Sequence, residues 1–155
     1  MSRPPRVYTD TNVFGSVMDP AFEPASMLFL EQALAGKFQV VVSAVASREV
    51  SYAPRTVQEL FESFTGSVEI IETTDEALRL RDAYVHAGFV RLKSLNDALH
   101  VALATVSGCD MIVSWNFRDI VNYRKIPLYN AVNLVNGYRT ISIHSPLEVT
   151  PDEED

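Results

Sequence analysis

The stretch Val7-Tyr8-Thr9-Asp10-Thr11-Asn12-Val13 decides the fold. A short apolar run near the start of the chain ends in a carboxylate, and its β-branched and aromatic residues predict a strand from Arg6 to Thr9. In an open α/β sheet the ligand crevice lies outside the carboxyl ends of the strands, so Asp10 is placed at that edge. Asp10 is either a ligand there or only the N-cap of the following turn.

Strands and helices alternate along the rest of the chain. Further strands are predicted at 39–43, 68–71, 110–114 and 140–143. Helices are predicted at 23–35, 44–52, 55–64, 74–87, from Ser94 to Gly108 and at 117–123, with a helical turn at 128–136. This order predicts an α/β fold with a mostly parallel sheet.

Length and composition favour one cytosolic domain. A chain of 155 residues with 47% hydrophobic residues can bury a core of ordinary size. No apolar stretch is long enough for a membrane helix, no signal peptide is present and Cys109 has no partner, so we expect a cytoplasmic protein without membrane contact. We expect the domain to span 1–145 and the acidic tail at 146–155 to be disordered.

The net charge of −7 is unfavourable for a protein that binds nucleic acid. Four of the acidic charges belong to the last four residues, 152–155, and a bound cation would offset several others. Nucleic acid is therefore allowed but not indicated. The basic residues that could contact phosphate are scattered in the sequence, and no shared face is evident: Arg48, Arg55, Arg91, Lys93, Arg118, Arg124 and Lys125.

Three acids converge on the same predicted sheet edge. Glu49 lies in the short helix after the second strand, and Asp97 lies near the start of a central apolar helix. Three carboxylates gathered beside Asp10 would repel one another unless a cation lay between them, so the sequence predicts a divalent-metal site. The structural alternatives are a solvated helix face for Glu49 and, for Asp97, the third residue of a capping box that begins at Ser94.

The end of the fourth predicted strand offers polar groups to the same edge. Ser114 and Asn116 alternate with apolar residues, and the Asn116 amide oxygen is either a metal ligand or the cap of a turn. Trp115 either stacks on a base or packs in the core, and packing is favoured.

The remaining polar candidates have ordinary structural explanations. His100 follows Asp97 by about one helical turn and is either a packing histidine or a group that carries a proton or supports a ligand. Asp119 is a reserve candidate for the site. Cys109 is expected to be a buried thiol, Asp110 structural and Asp82 solvated.

Four segments together resemble a PIN domain. They are Val-Tyr-Thr-Asp10-Thr-Asn12-Val, Glu49 after the second strand, Ser94-Leu-Asn-Asp97-Ala-Leu-His-Val-Ala, and Asp110-Met-Ile-Val-Ser114-Trp-Asn116-Phe. The resemblance runs from Val7 to about Ile143. It implies a three-layer sandwich with a central sheet of four to five strands between helices.

The resemblance also implies a function. PIN domains are divalent-metal nucleases that act mostly on RNA, and small bacterial members include VapC-type toxins that a partner antitoxin neutralises. It implies Mg²⁺ or Mn²⁺ held by Asp10, Glu49 and Asp97, with Asn12 and Ser114 bracing the first ligand. Asn116 stands where many members have a fourth acid, which puts a tight second metal site in doubt. An RNA substrate, an antitoxin and a homodimer are the expected partners.

Two other functional classes remain open. A PIN-like module without the fourth acid can be catalytically weak or inactive and serve as a nucleic-acid- or protein-binding subunit. A phosphatase that forms an aspartyl-phosphate at Asp10 is less favoured, because its acid–base step would need an acid where the chain has Asn12.

Overall fold

A five-stranded, fully parallel sheet forms the centre of the molecule. The computed structural model describes residues 3–64 and 66–150. The strands are β1 (Arg6–Thr9), β2 (Gln39–Ser43), β3 (Glu69–Ile71), β4 (Met111–Val113) and β5 (Ser142–His144). They lie in the order β3-β2-β1-β4-β5, and each neighbouring pair is parallel. The predicted α/β fold is confirmed, with five strands.

Helices cover both faces of the sheet. They are α1 (Thr11–Gly15), α2 (Glu23–Leu34), α3 (Ala44–Val50), α4 (Arg55–Ser63), α5 (Asp75–His86), α6 (Leu95–Val106), α7 (Ile126–Val135) and α8 (Pro146–Val149). Short 3₁₀ turns lie at Ser16–Met18 and Leu92–Ser94. In the described part of the chain, none of these helices has the length and apolar character needed to cross a bilayer.

Alternation along the strands divides the core into two halves. Tyr8, Val41 and Ile112 face one side of the sheet and pack with α5, α6 and α7. Val7 and Val113 face the other side and pack with α1, α2 and α4. Because successive side chains of a strand point to opposite faces, a sheet covered on both sides reads as continuous apolar strands such as Val40-Val41-Val42. The result is the expected three-layer sandwich.

The strand order creates a crevice at the centre of one edge. The chain builds β1, β2 and β3 outward in one direction and then returns to add β4 and β5 on the other side of β1. The direction of winding therefore changes between β1 and β4. Ligands of open α/β folds bind outside the carboxyl ends of the strands at such a point, and we call this space the carboxyl-edge crevice.

The segment after β4 differs from the predicted helix at 117–123. It forms a series of turns, in which the Asn116 side chain accepts from the amides of Arg118 and Asp119. Asn122 accepts in the same way from the amides of Arg124 and Lys125. Asparagine oxygens that bond to the backbone two and three residues onward compete with helix formation, which explains the error.

The chain stays folded for longer than predicted. Residues Pro146–Val149, expected to be disordered, form α8, and Val149 packs against the core on the α2 side of the sheet. A capping box that joins Ser145 and Glu148 begins this helix, and Pro146 occupies its first turn. The prediction of disorder was wrong for these residues. Residues 151–155 lie outside the described residues.

Candidate metal centre at the carboxyl edge

Asp10 lies immediately beyond β1 and is almost fully buried, with 5% of its surface exposed. Its Oδ2 accepts hydrogen bonds from Ser114 Oγ at 2.7 Å and from Asn12 Nδ2 at 3.3 Å. Although Asp10 occupies the N-cap position of α1, its side chain makes no capping hydrogen bond. The carboxylate therefore serves the crevice and not the helix end.

Asn12 and Ser114 join the loops that follow β1 and β4. Asn12 Oδ1 accepts from the Trp115 amide at 3.0 Å, and its Nδ2 also donates to Ser114 Oγ at 3.3 Å. Ser114 Oγ in turn accepts from the Asn116 amide at 2.9 Å. These are the bracing contacts expected of Asn12 and Ser114, and they hold the Asp10 carboxylate in one orientation.

Asn116 contacts the centre through its amide nitrogen. Nδ2 donates to Asp97 Oδ1 at 3.0 Å, whereas Oδ1 accepts from two backbone amides of the following turn. The oxygen is therefore engaged as a turn cap, and ligation of a cation would require it to give up those bonds. As the structure places it, Asn116 positions Asp97.

Asp97 is half-buried in the first turn of α6. The predicted capping box is wrong, because Ser94 makes no side-chain cap bond and its hydroxyl donates to Asp119 instead, at 3.2 Å. Burial, followed by repulsion from Asp119 and Asp10, raises the pKa of Asp97 to about 6. Asp97 is therefore a partly desolvated carboxylate with two other carboxylates near it.

Glu49 joins the site through a buried histidine. Its Oε1 lies 2.8 Å from His100 Nε2, and its side chain is 40% exposed whereas that of His100 is 2% exposed. The other ring nitrogen, Nδ1, lies 2.5 Å from the Tyr8 hydroxyl, which donates to Ser43 Oγ at 2.9 Å. Ser43 caps α3 by accepting from the Ala46 amide, so the network ends on the helix that carries Glu49.

The charges around His100 favour its protonated form. Burial alone would lower the pKa of His100, but the hydrogen bond to Glu49 and the nearby Asp10, Glu49 and Asp97 carboxylates outweigh burial and raise it. For Tyr8, in contrast, burial raises the pKa, so its hydroxyl stays neutral. The histidine is thus influenced electrostatically by all three acids, and its direct bond is to Glu49.

Asp119, the reserve candidate, is a structural acid in this arrangement. Its Oδ1 lies 3.0 Å from Lys125 Nζ and 3.9 Å from the Arg91 guanidinium. Burial opposes its ionisation, but the Lys125 hydrogen bond and the charges of Lys125 and Arg91 hold the pKa of Asp119 below its ordinary value. Its charge is largely satisfied within the protein.

Asp10, Glu49 and Asp97 have the side-chain chemistry to bind a divalent cation, but they are not close enough together to form a single coordination site. Carboxylate oxygens are the donors that Mg²⁺ and Mn²⁺ favour, and burial, together with repulsion from Asp119 and Asp10, raises the pKa of Asp97. Among residues 3–64 and 66–150, however, no group of three or more His, Cys, Asp or Glu side chains is placed to hold an ion. Asp10 and Asp97 are coupled electrostatically, whereas Glu49 is bonded to His100.

The structural alternatives hold for the other candidates. Trp115 is buried, packs on Phe22 and donates from Nε1 to Ser26 Oγ, so it is a core residue. Cys109 is buried, and burial raises the pKa of its thiol to about 11. Asp110 accepts from the Arg6 amide at the opposite end of β4.

Sequence reasoning missed the Tyr8 and Ser43 hydroxyls. Tyr8 reads as an ordinary strand residue, and only its alternation with Val7 and Thr9 hints that it faces the same side of the sheet as α6. Ser43, at the last position of β2, carries a detectable signal, since serine directly before a helix is a preferred N-cap.

The solved structures that share this fold include the following three. The VapBC2 complex from Rickettsia felis, bound to a DNA fragment from its promoter, matches with a TM-score of 0.58 and 15% identity over 90% of this chain and 98% of the other. A toxin–antitoxin complex from Klebsiella pneumoniae matches with a TM-score of 0.55 and 19% identity over 73% and 88% of the two chains. FitAcB from Neisseria gonorrhoeae matches with a TM-score of 0.57 and 13% identity over 92% and 99%.

These neighbours establish the fold. The toxins of VapBC and FitAB complexes are PIN-domain proteins, so the predicted PIN fold is confirmed. No family profile matches the sequence, and no curated protein matches it either. At 13–19% identity the likeness reaches the fold and does not by itself carry an activity.

Proposed function

We propose that this PIN-fold protein is a divalent-metal-dependent endoribonuclease and the toxin of a toxin–antitoxin pair. The observation that carries the proposal is the pairing of Asp10 and Asp97 in the carboxyl-edge crevice, each held there by a side chain from the loop after β4. Two carboxylates kept in place at a topological switch point, one of them with its pKa raised to about 6, are suited to a cation and a phosphate.

The chain's own residues would prepare the site for a phosphodiester. Ser114 and Asn12 fix the Asp10 carboxylate, Asn116 fixes that of Asp97, and His100 bonds to the partly exposed carboxylate of Glu49. When bound, Mg²⁺ or Mn²⁺ supplies the positive charge that offsets charge on the reacting phosphate and acidifies water. No Ser, Cys or His nucleophile is required by this chemistry.

The test is cleavage of mixed RNA by the purified protein in Mg²⁺, Mn²⁺ or EDTA. We expect cleavage with either metal, none in EDTA, and none by Asp10→Asn, which keeps the shape of the side chain and removes its charge. Asp82→Asn, which removes an exposed acid on α5, is the matched control and should cleave like the wild type. Cleavage by Asp10→Asn at the wild-type rate would contradict the assignment.

The proposed partner is an antitoxin that lays a short segment across the crevice. The motive is charge, because an Arg or Lys side chain can take the place of a cation beside Asp10 and Asp97. We expect a partner encoded beside this chain to co-purify with it and to block cleavage. Harmless overexpression of the active protein, together with purification of the chain alone, would count against a toxin.

A further inference from the structure

Exposed basic and aromatic side chains lie together beside Asp97. The 3₁₀ turn that precedes α6 and the turns that follow β4 border the crevice, and their exposed members form what we call the aromatic–basic rim: Arg91, Lys93, Phe117, Arg118, Tyr123 and Arg124. The scattered positive charges of the sequence are therefore partly gathered in the fold, on one side of the acidic centre.

Asp119 holds the two halves of the rim together. It accepts from Lys125 and from Ser94, and its Oδ1 lies 3.9 Å from the Arg91 guanidinium. These contacts join the segment 91–94 to the segment 117–125 through the buried side chains of Asp119 and Ser94. The rim also adjoins the metal centre, because Asn116 lies between its second half and Asp97.

Two aromatic rings of the rim are exposed. Phe117 is 49% exposed and makes an edge contact with Trp115, and Tyr123 is 77% exposed, with the Arg124 guanidinium 5.6 Å from its ring centre. An exposed aromatic ring that pairs with an arginine offers a base both a stacking face and a cation for the adjacent phosphate. Neither ring is needed to complete the core.

We propose that the aromatic–basic rim binds single-stranded RNA, with bases stacked on Tyr123 and Phe117 and phosphates on the rim's Arg and Lys side chains. This inference rests on the proposed function and names the surface that leads substrate to Asp97. Side-chain ion pairs of Lys93, Arg118 and Arg124 are absent from the described part of the chain, so these cations are available to phosphate. A strand without base pairing is favoured because stacking requires exposed base faces.

The binding test separates the rim from catalysis. Asp10→Asn protein in EDTA is titrated against a fluorescent single-stranded RNA of about 12 nucleotides, and affinity is read from anisotropy at several salt concentrations. Into this background we introduce Tyr123→Ala, Tyr123→Phe and the pair Arg118→Ala/Arg124→Ala. The pair Lys37→Ala/Arg139→Ala removes two exposed charges next to the amino ends of β2 and β5 and is the matched control.

We expect Tyr123→Ala to weaken binding about tenfold and Tyr123→Phe to restore it, because the ring and not the hydroxyl stacks. The double arginine variant should weaken binding and lower the slope of log affinity against log salt by about 1.4, which corresponds to two phosphate contacts on a single strand. The control pair should change both quantities far less. Melting curves confirm that each variant is folded.

Several results would contradict RNA binding by the rim. They are equal losses for the rim and control pairs, no loss for Tyr123→Ala, no RNA binding by the parent protein, or rim variants that lose a protein partner while they keep RNA. If rim variants lose RNA affinity as expected but the wild type never cleaves RNA, the proposal that the rim binds RNA is supported and the proposed nuclease activity is contradicted. If the wild type cleaves RNA while rim variants bind it with normal affinity, only the proposal that the rim binds RNA is contradicted.

Discussion

The two polar atoms of the Asn116 side-chain amide make hydrogen bonds with different roles. The oxygen caps the turn after β4, and the nitrogen donates to the Asp97 carboxylate. An aspartate here keeps the capping oxygen but replaces a donor with a second negative charge next to Asp97. The same substitution should therefore preserve the turn and change the candidate metal centre.

Asn116→Asp should lower the melting temperature in EDTA and raise the affinity for Mg²⁺ or Mn²⁺. The loss comes from repulsion between the new carboxylate and Asp97, and the gain comes from carboxylates binding hard cations better than amides. Calorimetric metal titration and melting curves with EDTA measure the two effects. If neither quantity changes, Asn116 is a turn residue only and takes no part in metal binding.

His100 should act through the position of Glu49. His100→Met removes the Nε2 donor and fills a similar volume, whereas His100→Gln places an amide donor near the same point. Removing a group that orients a metal ligand commonly costs about 10–100-fold in metal affinity or activity. We expect a loss in that range in kcat and in Mn²⁺ affinity for His100→Met and recovery of most of it in His100→Gln. Equal behaviour of the two variants would show that His100 serves only to fill the core.

At the scale of elements, the segment between β4 and α7 is held in part by charged side chains. Asp119 anchors this segment, and 10% of its side chain is exposed. The Tyr129 hydroxyl donates a hydrogen bond to the backbone carbonyl of Asp119. Because the pKa of Asp119 is below its ordinary value in the folded state, its ionised form stabilises the fold above about pH 4. That contribution is lost as the pH falls through the folded-state pKa.

Asp119→Asn should therefore reduce the free energy of unfolding by about 1–3 kcal/mol near pH 7, the range for hydrogen bonds to charged groups. The difference from the wild type should narrow as the pH falls toward about 3, where the wild-type carboxyl is increasingly protonated. Urea denaturation at a series of pH values checks this. Asp82→Asn, whose ion pair with Arg81 is largely exposed, should cost far less at every pH. A constant difference across pH would contradict an ionic anchor.

The elements that sequence reasoning missed are the short ones held by side chains. The bounds of β1 and β2 follow from their β-branched and aromatic residues alone, and both were predicted at 6–9 and 39–43. Helix α1 has five residues, too few for an apolar period to show. The error at 117–123 came from Asn116 and Asn122, and the acidic composition after Val149 concealed the capping box that begins α8.

At the scale of the whole molecule, the fold gathers residues far apart in the chain at one edge. Asp10 and Glu49 follow strands whose carboxyl ends meet at one edge, and Asp97 lies in the first turn of α6, between β3 and β4 in the chain, so the sequence could predict that all three lie near that edge. The structure couples Asp10 with Asp97 but bonds Glu49 to His100. Their hydrogen-bond partners could not be predicted as readily. The Glu49–His100–Tyr8 network depends on which face of α6 meets β1, and sequence periodicity does not specify that for a helix buried on most sides.

The most direct test of the central claim is a calorimetric titration of the metal-free protein with Mn²⁺ in the absence of RNA. If Asp10 and Asp97 form one metal centre, the wild type binds Mn²⁺, Asp10→Asn and Asp97→Asn each bind it at least about tenfold more weakly, and Asp82→Asn binds it like the wild type. Both weakened variants should melt no lower than the wild type in EDTA, because each substitution relieves repulsion. Wild-type affinity in Asp10→Asn or Asp97→Asn would contradict the account.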